Sequence, residues 1–242
     1  MQEWFEGIKR LFILNFITDN RWRFILNGLV VTLRITFFAL LIGIVIGVVV
    51  AIVRSTYDKN ISTMKRGTGR FILKIVNGIC RFYLTVIRGT PVVVQLLIFY
   101  YVILISVKSG VTIGIIAFGI NSGAYIAEIF RSGIMSIDVG QFEAGRSLGL
   151  DFIKTMRYII IPQAFKNILP ALANEFIVLL KETAVVGYIA VQDITKAGHI
   201  ISGRTYSAFM PLFAVALVYL ALVMFFTWLV GKLERRLRSS ER

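Results

Sequence analysis

Three stretches of this chain carry no charge at all: Ile35 to Val53 and Ser109 to Ala127, 19 residues each, and Thr205 to Gly231, 27 residues. A helix needs about 20 apolar residues to cross the roughly 30 Å hydrocarbon layer, and a chain inside lipid must satisfy its backbone hydrogen bonds within itself. These runs therefore predict transmembrane helices. Two weaker runs join them: Pro91 to Val107, charge-free for 17 residues, and Ile168 to Val191, which carries charges at Lys181 and Glu182. The expectation is an all-α integral membrane protein with five transmembrane helices, at about 24–54, 89–107, 111–134, 165–190 and 206–232. With 57% hydrophobic residues, a soluble fold is nearly excluded.

The basic residues then orient the spans. Of 27 Lys and Arg, 18 fall in the segments 54–88, 131–166 and 232–242. The positive-inside rule places those segments in the cytoplasm, with the N-terminus outside and the C-terminus cytoplasmic. The net charge of +14 is thus read as topology, with no nucleic-acid partner. Residues 1–21 read as an N-terminal amphipathic segment without a small-residue cleavage site, 22–234 as the transmembrane domain, and 235–242 as a basic cytoplasmic tail. Trp22 and Trp228 sit near span ends, where interfacial anchors belong.

Little catalytic chemistry is available. One cysteine, Cys80, and one histidine, His199, exclude an intrachain disulfide and any multi-His zinc site. No metal site is expected, Cys80 reads as a small apolar filler, and His199 lies in an outer loop from Gln192 to Arg204. Thr32, Thr36, Gly43 and Gly47, and again Gly110, Gly114, Gly119 and Gly123, are small-residue stripes suited to close helix packing.

Between the first two spans, Arg70, Lys74, Asn77, Arg81, Thr85 and Arg88 recur at helical spacing and predict an interfacial basic helix over 70–88. It turns at Arg88-Gly89-Thr90-Pro91, and Pro91 suits a helix start. The stretch from Gly140 to Leu150, GQFEAGRSLGL, reads as a short helix closed by Gly149, with Pro162 leading into the next span. Such a helix exposed on the inner face fits a groove in a partner.

Glu143, Ala144, Gly149, Ile159 and Pro162 resemble, at the right spacing, the EAA loop of ATP-binding-cassette (ABC) importer permeases; Gly145 stands where the pattern has Ala and Ile161 where it has Leu. Asn27-Gly28-Leu29 with Thr32-Leu33, Arg88-Gly89-Thr90-Pro91 with Gln95, Ala124-Tyr125-Ile126-Ala127-Glu128 with Arg131, and Lys181-Glu182-Thr183 narrow the resemblance to polar amino acid permeases of the histidine/glutamine/arginine type. In the last of these, Glu182 and Ala184 depart from the family's pattern.

The resemblance implies a type I ABC importer permease in the bacterial inner membrane, with a coupling loop over 138–162. It implies a second permease subunit, either a copy or a paralogue, two ATPase subunits that hold ATP and Mg, and an extracytoplasmic binding protein that delivers the amino acid. The chain has no G-x-x-x-x-G-K-[ST] phosphate loop, so ATP hydrolysis is expected on another polypeptide, with no cofactor bound here and no enzymatic activity of its own. Gln141, Glu143, Ala144, Gly145, Leu148 and Gly149 are the expected ATPase-coupling residues.

For the substrate pathway, Asn121, Tyr125, Glu128 and Ser132 share one face of the third span, and an intramembrane carboxylate such as Glu128 must point away from lipid. Asn121 and Ser122 lie nearest mid-span. Equally, Glu128 can be structural, paired with Arg131 one turn on. Thr90 and Gln95 flank the helix start at Pro91, whose free N–H groups suit a carboxylate, although a plain turn explains Gly89 and Pro91 as well. Lys181 and Glu182 are candidate gate residues. Glu128, Glu175 and Glu182 favour a cationic amino acid. The competing reading is a stand-alone secondary transporter of small polar solutes, against which the loop spacing speaks.

Overall fold

The computed structural model describes residues 1–61 and 64–239, so residues 240–242 of the basic tail lie outside the described residues. Every regular element among them is helical: α1 (Gln2–Phe12), α2 (Trp22–Asn60), α3 (Thr68–Gly89), α4 (Val92–Ile98), α5 (Gly110–Met135), α6 (Val139–Ser147), α7 (Phe152–Thr155), α8 (Ile161–Glu182), α9 (Ile194–Thr205) and α10 (Phe209–Ser239). Single π-helical turns occupy Ile13–Ile17, Phe99–Ile103 and Met156–Ile160.

Among the described residues, three helices are long and apolar enough to cross a membrane: Trp22–Lys59, Gly110–Met135 and Phe209–Leu237. A broken pair, Thr68–Gly89 with Val92–Ile103, reaches the same length and apolarity together. Helix ends depart from the expected bounds where polarity and hydrogen bonding diverge. α2 runs on to Asn60 because nothing in Arg54-Ser55-Thr56-Tyr57-Asp58-Lys59 breaks a helix once it emerges from lipid. The run expected to reach residue 107 stops earlier: its backbone widens into the π-turn, and Leu104 N–H donates to Phe99 O at 2.8 Å. The Gln192 to Arg204 stretch, read as a loop, forms α9, capped by Asp193, whose carboxylate accepts from Thr195 N (3.0 Å) and Lys196 N (2.9 Å).

The chain divides into two compact units. The first comprises Met1–Ala39, Val92–Phe118 and Ile177–Trp228. Its core packs Phe16 and Ile25 against Ile194, Ala197, Ile201 and Val215. The base of α1 is tied down by Asn15, whose Oδ1 accepts from Thr205 Oγ1 at 2.7 Å. Gly28 of α2 meets the backbone of Asp193, and Thr32 Oγ1 accepts from Ile194 N. The buried Asp193 also lies near Tyr219 Oη, 3.4 Å away. Burial pushes the Asp193 carboxyl above its usual range, and the two capping N–H groups offset only part of that rise.

The second unit comprises Leu40–Pro91, Gly119–Phe176 and Leu229–Arg242. Ile126, Ile134, Ile160, Ala164, Ile168 and Leu172 form its larger core, and Val50, Cys80 and Ala127 a smaller one. The small-residue stripes do the packing expected of them: a Cβ at Gly47 would sit 2.5 Å from Ile126 Cγ2, and one at Gly123 would sit 2.9 Å from Tyr83 Oη. Tyr83 uses that space to donate its hydroxyl to Ile120 O at 2.5 Å.

Candidate functional site

In the second unit, α5 carries most of the polar side chains expected along a pathway. Asn121 and Ser122 are buried, Tyr125 and Glu128 half-buried, and Ser132 exposed, so exposure rises along the face. Ser122 Oγ donates to Glu175 Oε1 of α8 at 2.7 Å, and Glu175 is only 7% exposed. A carboxylate this far from water in an apolar helix costs several kcal/mol, on the order of what translocon scales assign.

Glu128 lies between two arginines, as the pairing alternative expects. Arg131 Nη1 donates to its Oε1 at 3.3 Å, and Arg88 Nη1 lies 3.8 Å from its Oε2. Arg131 in turn donates from Nε (3.2 Å) and Nη2 (3.1 Å) to Asp58 Oδ2. Beside this network Arg54, Arg81, Leu84, Thr85, Arg88, Gly89 and Glu128 line an open cleft of about 380 Å³. Arg88 also lies 5.7 Å from the Tyr125 ring centroid. Three guanidiniums against one carboxylate make the cleft attractive to anions.

Within the polar stripe of α3, Asn77 turns inward while Lys74, Arg81 and Arg88 are exposed. Asn77 is buried and accepts from Arg54 Nη1 at 3.3 Å, while Phe71, Ile72, Ile75, Ile79, Phe82 and Val86 are exposed. Thr90 Oγ1 donates to Val86 O at 2.8 Å, within its own helix end. Gln95 is buried on α4 in the first unit, where Lys181 is exposed and Glu182 half-buried at the end of α8.

α6, the helix of the EAA-like loop, forms as its sequence dictates. Asp138 caps α6, accepting from Gly140 N at 2.6 Å. Gly149 takes φ +77°, Leu150 N–H donates to Gly145 O, and Gly149 N–H to Arg146 O, the paired bonds of a Schellman end. One face docks: Gly145 is buried and Phe142 packs in the larger core. The opposite face leaves Glu143, Ala144 and Leu148 in the open, Leu148 at 78% exposure. Gln141 Oε1 accepts from Gln163 Nε2 at 3.2 Å.

The departure at Gly145 has a local cause. A Cβ there would meet Thr155 Cγ2 at 2.7 Å and Oγ1 at 3.0 Å, so the side chain of Thr155 occupies the room that Ala needs. Gly145→Ala is expected to cost about 1 kcal/mol, since overpacking of about 1–3 kcal/mol outweighs a helix gain of under 1 kcal/mol. Adding Thr155→Ser, which removes the Cγ2 and keeps the hydroxyl, should lower that cost. Hydrogen-exchange protection across Val139–Ser147 measures both.

A family model for the binding-protein-dependent transport system inner membrane component matches residues 67–239. The chain belongs to this family. Among its relatives, the putative glutamine transport system permease protein GlnP of Rickettsia typhi is 37% identical over 217 residues, covering 88% of this chain and 93% of the relative. The arginine transport system permease protein ArtQ of Bacillus subtilis is 38% identical over 221 residues, covering 90% and 94%. The crystal structure of an amino acid ABC transporter with histidines superposes with a TM-score of 0.80 at 40% identity, covering 91% of this chain and 98% of that one. The MetNI methionine ABC transporter, at 18% identity and a TM-score of 0.71, shares the fold.

The permease resemblance read from the EAA loop is thereby established, with the all-helical ABC importer permease fold, and a stand-alone secondary transporter is not favoured. Residues missed by sequence reasoning are chiefly partners distant in the chain: Asp58 meets Arg131, Arg54 meets Asn77, and Tyr83 meets the backbone of Ile120, next to Asn121. Glu175 is not among them: its charge inside an apolar run marks it in the sequence as favouring a cationic substrate.

Proposed function

We propose that this chain is the pathway subunit of an importer for a cationic L-amino acid, working by ATP-driven alternating access in a bacterial inner membrane. Five spans, with α8 and the segment 89–107 that holds α4 added to the three long helices and α3 lying in the interface, give an N-terminus outside and a C-terminus in the cytoplasm, in line with the basic segments. ATP and Mg belong to partner ATPase subunits, and an extracytoplasmic binding protein supplies the amino acid. A second permease, this chain or a sister, completes the pore, and Lys181 and Glu182 serve its gate.

The observation that carries substrate recognition is the buried Ser122–Glu175 pair beside Asn121. An acidic side chain at this buried position favours a cationic substrate. Glutamine and arginine permease relatives match at 37% and 38% identity, so overall similarity does not choose between those two substrates.

The exposed face of α6 supports ATPase docking. Glu143→Arg, on that solvent-facing side, should weaken association with the ATPase subunit about tenfold without unfolding the chain. Co-purification and ATP-driven uptake in vesicles read this out. Unchanged association would remove α6 from the docking role.

A further inference from the structure

The last turn of α2 touches both functional regions of the second unit. Lys59 Nζ stands 3.2 Å from the centroid of the Phe142 ring on α6. The next residue back, Asp58, takes two N–H groups of Arg131, whose third contact is Glu128 at the edge of the arginine-lined cleft. Neighbouring residues on a helix point about 100° apart, so one turn holds the coupling helix with one side chain and the cleft network with the other.

We propose that Lys59 and Asp58 are positioning residues that carry movement of α6 to the Glu128–Arg88 cleft. The inference rests on the docking reading of α6 and deepens it. Three features favour transmission over mere packing. Phe142 faces inward, so a partner pressing on the outer face of α6 pushes the ring toward Lys59. α2 is one unbroken helix through residues 58 and 59, so the two contacts move as a rigid body. Arg131 engages Asp58 and Glu128 with separate nitrogens, so displacing Asp58 loosens the hold on Glu128 directly. A coupling route of this kind needs an element that both sites bias, and the end of α2 is such an element.

The test uses the complex of this chain with its ATPase subunit in proteoliposomes, with the binding protein loaded with arginine or with glutamine. Lys59→Met keeps the length of the stem and removes the charge. It should lower stimulation of ATP hydrolysis by the loaded binding protein about fivefold, with basal hydrolysis unchanged. Asp58→Asn should do the same. Phe142→Leu combined with Lys59→Met should be no worse than the stronger single variant, and Lys59→Arg, whose guanidinium also stacks on a ring, should retain stimulation. The proposal is overturned if Lys59→Met leaves stimulation intact, if it lowers basal and stimulated hydrolysis alike, or if the double variant is additive. Failure of the docking reading shows separately, as Glu143→Arg leaving ATPase association intact.

Discussion

Gly28→Ala should cost this protein about 3 kcal/mol, the upper end of what overpacking does. A Cβ at Gly28 would sit 2.5 Å from Asp193 O, 2.6 Å from its C and 2.8 Å from Ile194 N. All three are backbone atoms, so no side chain can swing aside. Relief requires moving α2 away from the 193–194 turn. That movement breaks the Thr32 Oγ1 bond to Ile194 N and disturbs the cap on α9. The penalty therefore spreads through the first unit's core, which is built on Ile194, Ala197 and Ile201. Thermal unfolding in detergent, followed by size-exclusion chromatography, should show a drop of about 6–12 °C. Gly203→Ala is the control: nothing lies within 4 Å of a Cβ there, and inside a helix the added methyl gains about 0.5–1 kcal/mol. An equal loss in both variants would show that the close approach at Gly28 is not what matters.

The same glycine shows what a sequence can and cannot reveal. Long helices follow from charge-free runs, because apolar length is a local property, and the three longest runs without charge fall in the three helices able to span. Gly149 marks the end of α6 for the same reason: a left-handed residue acts within a few positions. Gly28, by contrast, owes its role to a backbone 165 positions away. Composition around it gives no hint, and only the family motif singled it out. The site divides likewise. Asn121, Ser122 and Glu128 were legible as polar residues in an apolar helix, but which of them stands ready for substrate depends on partners. Arg88 and Arg131 engage Glu128, and Glu175, on another helix, joins Ser122. Those pairings are set by helix packing, not by spacing. α9 was missed for another reason: its polar residues resemble a loop until Asp193 caps them and burial of Ile194, Ala197 and Ile201 offsets the cost of ordering.

Glu175→Gln should separate substrates by charge. The amide keeps an oxygen to accept from Ser122 Oγ, now at 2.7 Å, and nearly the same volume, so the packing of α5 against α8 survives. What is lost is the negative charge. A hydrogen bond or pair to a buried charge contributes about 1.5–3 kcal/mol, which at about 1.4 kcal/mol per decade is roughly 10- to 100-fold. Arginine uptake through reconstituted vesicles should fall by that factor, while glutamine uptake, which never used the charge, should stay within about threefold. Measuring both in the same vesicles removes differences in folding and assembly, because a damaged permease loses both together. Ser122→Ala gives an independent check: it deprives the carboxylate of its hydroxyl donor without altering its charge, and should reduce uptake less than Glu175→Gln does for arginine. Equal losses for arginine and glutamine after Glu175→Gln would make the pair a packing feature. No loss of either would move recognition to the arginine-lined cleft, where Arg54, Arg81 and Arg88 would bind the carboxylate common to every amino acid and charge selection would rest with the binding protein.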